Sequence, residues 1–231
     1  MPEYEVMYFE ATGRAEAIRL MFSYAGIPFK DTRVTFDEWP ELKKDTTKVP
    51  YQVLPVLFVD DKLLAESHTI YRYVAKLTGL TGGPDPFDEA VVDQAHEVCR
   101  GFNDAAYGYV YVVLGFWKQD KNEAYKNILL PNVEKYFPRI SALLQPSGYF
   151  GKNGPTYADF SFCQTIEGYN SMVPEVVAKY PEFLAHYERM MKLPQIQDYL
   201  KNRPAAKCTM ILKKSSKLVI VFRKRNDLYF F

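Results

Sequence analysis

Gly82-Gly83-Pro84-Asp85-Pro86 divides this chain into two stretches of different periodicity. Two glycines and two prolines within five residues cannot sit inside a helix or a paired strand, so any fold must break there. Before the break, short strand patterns alternate with helical ones. Residues 4–9 read as an aromatic, partly alternating strand. After Gly13, apolar residues fall at Ile18, Met21, Phe22 and Ala25, the spacing of a helix face, with Gly26 and Pro28 as stop signals. A second strand is expected over 29–34 and a short helix over 37–44. A third strand over 53–59 turns at Asp60-Asp61 into 62–64. Ser67 is then the expected cap of a helix with a buried stripe of Ile70, Tyr73, Val74 and Leu77, ending at Gly79.

Beyond the break the patterns are helical. Val91, Ala95, Val98 and Phe102 form one stripe, and Tyr125, Ile128, Leu129 and Val133 another, interrupted by Pro131 and Pro138. Thr156-Tyr157-Ala158-Asp159 has the form of a capping box, and helices are expected near 181–191 and 195–202. The expected organisation is a small α/β domain over 1–80, a linker over 81–86, an all-α helical domain over 87–206, and a basic extension over 207–231. That extension holds seven Lys and Arg against one acid in a chain of net charge +1, so the remainder carries a mild acidic excess. Such a body offers no nucleic-acid surface. The apolar run at 218–222, flanked by basic residues, reads first as an unpacked extension. Contact with an anionic membrane is the less favoured alternative.

Other classes fall away on composition. No apolar run approaches the ~18 residues of a membrane span, and residues 1–5 lack the start of a signal peptide. Cys99, Cys163 and Cys208 are odd in number and far apart, which excludes a disulfide framework and fits a reducing, cytoplasmic setting. His68, His96 and His186 are too dispersed to suggest a metal, and none is expected.

Four N-terminal features suit one chemistry. Tyr8 ends the first strand just before Gly13-Arg14. Such a tyrosine is ordinarily a packing residue, but a neutral phenol can also donate a hydrogen bond to a sulfur and favour its thiolate, with Arg14 adding positive potential. Leu54-Pro55, preceded by Val53, is a strand-entrance proline of a kind often found cis, which would leave backbone free to pair with an extended peptide; an ordinary trans edge proline fits the spacing equally well. Glu66-Ser67 opens the third helix, where Ser67 and free N–H groups suit a carboxylate and Glu66 suits an ammonium. Trp39 and Lys43, four apart, place an indole N–H and a cation on one face for a second carboxylate. The γ-glutamyl and glycyl ends of glutathione carry these groups.

The motifs Tyr4-x-x-x-Tyr8-Phe9, Gly13-Arg14-Ala15-Glu16-x-Ile18-Arg19, Trp39-Pro40-Glu41-Leu42-Lys43, Leu54-Pro55-Val56-Leu57 and Glu66-Ser67-x-x-Ile70-x-Arg72-Tyr73 occur in that order. On them, residues 1–206 resemble a cytosolic glutathione transferase of the sigma class, which includes many invertebrate enzymes and the haematopoietic prostaglandin D synthases. The resemblance implies a thioredoxin-like N-terminal domain, a homodimer, and glutathione as co-substrate with no tightly bound cofactor. Tyr8 would be the catalytic hydroxyl and Arg14 its support, with Trp39, Lys43, Val53, Leu54, Pro55, Glu66 and Ser67 around glutathione. A small hydrophobic electrophile would lie near Phe9, Tyr107, Tyr109 and Tyr111. The implied activity is conjugation; isomerisation of a prostaglandin endoperoxide and a crystallin-like structural role are the alternatives. Departures from the pattern are three extra residues between Lys43 and Leu54, Val53 in place of Gln or Lys, Glu66 in place of Gln, and no acid near Gly101.

Overall fold

The computed structural model describes residues 2–204; the basic extension over 207–231 lies outside them. Strands β1 (Tyr4–Phe9), β2 (Lys30–Val34), β3 (Val56–Val59) and β4 (Lys62–Ala65) form one sheet in the order β2-β1-β3-β4. β1 pairs parallel to β2, from Glu5 opposite Lys30 to Phe9 opposite Val34, and antiparallel to β3. The parallel pair needs a crossover, and a 3₁₀ turn (Gly13–Ala15) followed by α1 (Glu16–Tyr24) supplies it. Ala17, Ile18, Leu20, Met21 and Phe22 are all fully buried, so α1 is enclosed on nearly every side. Gly26, at φ +64, turns the chain out of it. α2 (Trp39–Leu42) is a single turn, and α3 (Ser67–Thr78) follows β4 directly and stops at Gly79 in the left-handed region.

Two expectations for α3 are corrected. Its cap position is Glu66, and Ser67 is the first helical residue. Its buried face is Ser67, Ile70, Tyr71, Val74 and Ala75, whereas Tyr73 and Leu77 are 37% and 39% exposed. Ile70 and Val74 form one i, i+4 row, flanked by the row of Tyr73 and Leu77 on one side and that of Tyr71 and Ala75 on the other, and the row of Tyr71 and Ala75 is the flank that packs inward.

The helical half comprises α4 (Pro86–Val113), α5 (Lys121–Ala124), α6 (Leu130–Leu143), α7 (Tyr157–Met172), α8 (Pro174–Val177), α9 (Pro181–Met191) and α10 (Gln197–Asn202). Asp85 caps α4 by accepting the Phe87 N–H, so the linker's last residues already belong to the helix start. The buried stripe of α4 runs through Val92, Ala95, Cys99, Phe102 and Ala106; Val91 and Val98 sit at its margin. Pro131 does not end the helix it interrupts. A π turn (Tyr125–Leu129) precedes it and joins α5 to α6, absorbing the hydrogen bond that proline cannot donate, while Pro138 is carried inside α6.

The capping box of α7 is part of a larger node. Asp159, fully buried, accepts the Thr156 N–H at 2.7 Å and hydroxyl at 2.7 Å through one oxygen. Its other oxygen accepts the Phe150 N–H at 2.9 Å and His186 Nε2–H at 2.8 Å. One carboxylate thus ties the loop before α7, α7 itself and α9. Asp159→Ala leaves several buried donors without an acceptor, and is expected to destabilise the protein by about 3–5 kcal/mol in urea unfolding; a loss under 1 kcal/mol would show that water replaces the carboxylate.

Candidate functional site

The C-terminal end of β1 delivers Tyr8 to the junction with the 3₁₀ turn. The Tyr8 oxygen accepts the Arg14 N–H at 3.3 Å, which leaves its own hydroxyl proton to donate elsewhere. Gly13 makes that approach possible. It has φ +42, and a β-carbon there would lie 2.6 Å from the Tyr8 hydroxyl and 2.8 Å from its ring. Tyr71 on α3 donates to the Arg14 carbonyl at 2.5 Å, so the turn is pinned from a second helix.

Burial pushes the Tyr8 phenol up to about 12, and Tyr107 adds to the shift. The Arg14 N–H and the guanidinium groups of Arg14 and Arg19 pull the other way without reversing it. Tyr8 is therefore a neutral donor across the physiological range. Arg14 stacks over the Tyr107 ring, 5.4 Å from its centroid, and so bridges the two halves of the molecule.

Beside this junction lies a cavity of about 400 Å³, lined by Arg14, Tyr51, Val53, Glu66, His68, Arg100 and Asp104. That volume suits a small polar ligand, within the ~300–1,000 Å³ of typical small-molecule sites. Glu66 is held there at φ +69, a conformation that non-glycine residues adopt at a cost of ~1–3 kcal/mol. The Leu54–Pro55 peptide is cis. The ladder between β1 and β3 ends at Met7 opposite Val56, so residues 53–55 run past it.

Residues 4–76 match the glutathione S-transferase N-terminal domain family, and residues 107–203 match the glutathione S-transferase C-terminal domain family. The chain is 32% identical over 206 residues to glutathione S-transferase 1 of Ascaris suum, covering 88% of this chain and 98% of that one. It is 30% identical over 208 residues to the hematopoietic prostaglandin D synthase of Gallus gallus, with 88% and 98% covered. Among solved structures, monomeric Na-GST-3 from Necator americanus superposes with a TM-score of 0.81 at 33% identity, covering 89% of this chain and 99% of that one. The chain belongs to the glutathione S-transferase family. It is a transferase that works with glutathione.

In this transferase, Arg14, Val53 and Glu66 stand on the cavity wall, with Tyr8 behind Arg14 and Ser67 buried at the start of α3. Trp39 and Lys43 are not on that wall. Trp39 is buried edge-on against Phe9, and Lys43, half-buried at the end of α2, makes no ion pair among the described residues. Phe9 is buried too, stacked on Phe36 at 5.0 Å.

The expected trio of tyrosines on α4 does not act together. Tyr107 and Tyr111, four apart, pack edge to face at 4.9 Å, and Tyr111 continues into the half-exposed Trp117. Tyr109 lies on the opposite side, buried in the helical core against Tyr125, and cannot line the same pocket. Alternate residues of a helix point about 200° apart, which rules out a shared wall.

Four cavity residues went unread in the sequence: Tyr51, His68, Arg100 and Asp104. Asp104 supplies an acid one turn beyond Gly101, paired with Arg100 at 3.3 Å. The i, i+4 spacing of Arg100 and Asp104 on one helix face was the available signal.

Gly13→Ala tests the junction. A β-carbon at this left-handed position is expected to cost about 1–2 kcal/mol in thermal unfolding. Displacement of Tyr8 is expected to lower glutathione-dependent turnover at least about tenfold. Full turnover in a destabilised variant would show that Tyr8 is not set by Gly13.

Proposed function

We propose that the chain conjugates glutathione to small hydrophobic electrophiles, with Tyr8 as the catalytic hydroxyl. The observation that carries this is a neutral, buried phenol whose oxygen is anchored by the Arg14 N–H while its proton remains free, directly behind the Arg14 that lines a polar cavity. The thiol of glutathione, with pKa near ~8.5 when free, loses its proton to solvent, and the Tyr8 O–H donates to the resulting thiolate. The thiolate sulfur attacks the electrophilic carbon. The new C–S bond forms as the displaced electron pair leaves with the leaving group or settles on a conjugated acceptor. Arg14 adds positive potential beside the sulfur.

Glu66 takes the γ-glutamyl ammonium, and Ser67 with the N–H groups of α3 takes its carboxylate. The backbone of Val53 and Leu54 beside cis Pro55 pairs with the cysteinyl residue, and Lys43 with Trp39 takes the glycyl carboxylate. The electrophile lies along Arg14, Tyr107, Tyr111 and Trp117, an aromatic surface exposed enough to receive it. Membership of the sigma class fits a tyrosine at this position, as does the similarity to a prostaglandin D synthase, and detoxification is the role that fits conjugation. Isomerisation of a prostaglandin endoperoxide would use the same thiolate and regenerate it, so a substrate panel that includes prostaglandin H2 separates the two. A crystallin-like protein has no use for the anchored phenol; failure to bind immobilised glutathione or to turn over chlorodinitrobenzene would establish that reading.

A homodimer is the proposed assembly. Tyr73 and Leu77, four apart on α3, leave apolar surface open on one face of a helix otherwise packed inward. Light scattering at micromolar concentration is expected to give twice the chain mass; a monomer would align this chain with Na-GST-3 instead.

Tyr8→Phe keeps the ring and removes the donor. A hydrogen bond to a charged acceptor contributes ~1.5–3 kcal/mol, so turnover at neutral pH is expected to fall about ten- to a hundredfold with glutathione affinity little changed. Alkaline pH ionises the thiol unaided and is expected to recover much of the loss. Equal losses at both pH values would assign Tyr8 a packing role.

A further inference from the structure

His68 and His96 form a pair that the proposed reaction does not use. His68 is the second residue of α3 and lines the cavity; His96 is fully buried in α4. His68 Nδ1 and His96 Nε2 lie 2.9 Å apart, so one proton sits between them. His96 Nδ1 is buried without a hydrogen-bond partner among the described residues.

That orphan decides the tautomers. If His68 donated to His96, His96 would carry its proton on Nδ1, a buried N–H with no acceptor, which folded proteins avoid more strictly than an idle lone pair. The proton between the rings therefore belongs to His96 Nε2, and His68 accepts it at Nδ1. A neutral imidazole that accepts at Nδ1 carries its own proton on Nε2. His68 Nε2–H is the polar group left for the cavity that the ring lines.

Both rings stay neutral. Burial lowers His68 to about 4 and His96 to about 3. Arg100 and Arg14 reinforce the shift at His68, and Asp104 and Glu97 oppose it. The partner ring of His68 and the guanidinium groups of Arg72 and Arg100 reinforce it at His96, against Asp93. Tyr71 packs edge-on against both rings, and Tyr157 of α7 lies against His96.

We infer that His68 is a specificity-determining contact for the γ-glutamyl carboxylate, donating from Nε2–H beside Ser67 at the start of α3, and that His96 is the positioning residue that fixes this tautomer. The inference rests on the glutathione reading above. It explains why a buried histidine with an idle nitrogen stands behind a cavity wall: a Phe or Leu at 96 would fill the space but leave His68 free to present a lone pair to an anion.

The test begins with wild-type protein binding and conjugating glutathione; if it does neither, the functional reading itself fails. If it does both, His68→Phe is expected to raise KM for glutathione about tenfold while kcat changes less than twofold, as loss of a ground-state contact to a charged group requires. His68→Gln, which retains an N–H near the Nε2 position, is expected to recover most of the affinity. His96→Leu is expected to weaken binding several-fold, and His96→Gln, whose amide can donate to His68 Nδ1, to restore it. Glutathione with its γ-glutamyl α-carboxylate converted to the carboxamide is expected to bind wild type more weakly, and to lose far less on His68→Phe than glutathione does. Long-range proton–nitrogen NMR of the free protein at pH 7 is expected to show His68 protonated at Nε2. An Nδ1–H tautomer, an unchanged KM in His68→Phe, or equal losses for both ligands overturns the inference while leaving the transferase assignment standing.

Discussion

Between the sheet domain and the helical domain sits one carboxylate with no access to water, and the placement of the site depends on it. Glu16, at the start of α1, meets Arg19 at 3.2 Å on its own helix and Arg203 at 2.6 Å beyond α10. Tyr199 adds a hydrogen bond at 3.1 Å. Arg19 in turn reaches the Ala11 carbonyl at 2.8 Å and Asp31 at 2.9 Å, fixing the loop that leads to Gly13. Desolvation offsets most of what such a buried group of charges gains. Its value lies in the alternatives it excludes, since docking the helices at another angle would leave a buried charge unpaired at a cost of several kcal/mol.

The site exists only because that seam is fixed. Tyr8 and Glu66 come from the sheet domain, Arg100, Asp104 and Tyr107 from α4, and Arg14 touches both halves. A small rotation across the seam would lift Arg14 from Tyr107 and open the cavity wall. Under the proposed function, both ligand halves, a charged peptide and an apolar electrophile, share one boundary, with the peptide on the polar side and the aromatic face of α4 on the other.

Local chemistry was the legible part. Strand alternation in β1, the stop at Gly26, the short turn at Trp39 and the box at Thr156 and Asp159 each rest on contacts within a few residues, and a sequence displays such spacings. The motif residues Arg14, Val53 and Glu66 reach the cavity wall. What depends on a distant partner was not legible. The inward row of α3 is chosen by what packs against it, so Tyr73 and Leu77 read as core and are half exposed. Tyr109 shares a sequence neighbourhood with Tyr107 and Tyr111 but not their side of the helix. His68 and His96 are 28 positions apart, and no local spacing marks them as neighbours. The π turn before Pro131 keeps a helix continuous where proline chemistry alone suggests a break.

Any protein that gathers reactive electrophiles exposes its own nucleophiles to them. Cys99 and Cys163 are at most 1% exposed, and burial raises both thiols well above their ordinary range, with the nearby Asp159 charge reinforcing the shift. Neither presents a thiolate, and neither can be reached by a bulky reagent. Among the described residues, then, the ionised sulfur within reach of an incoming electrophile is the one glutathione brings. Within the described residues the protein is built to survive its own substrates, and alkylation falls on a tripeptide that leaves after each turnover.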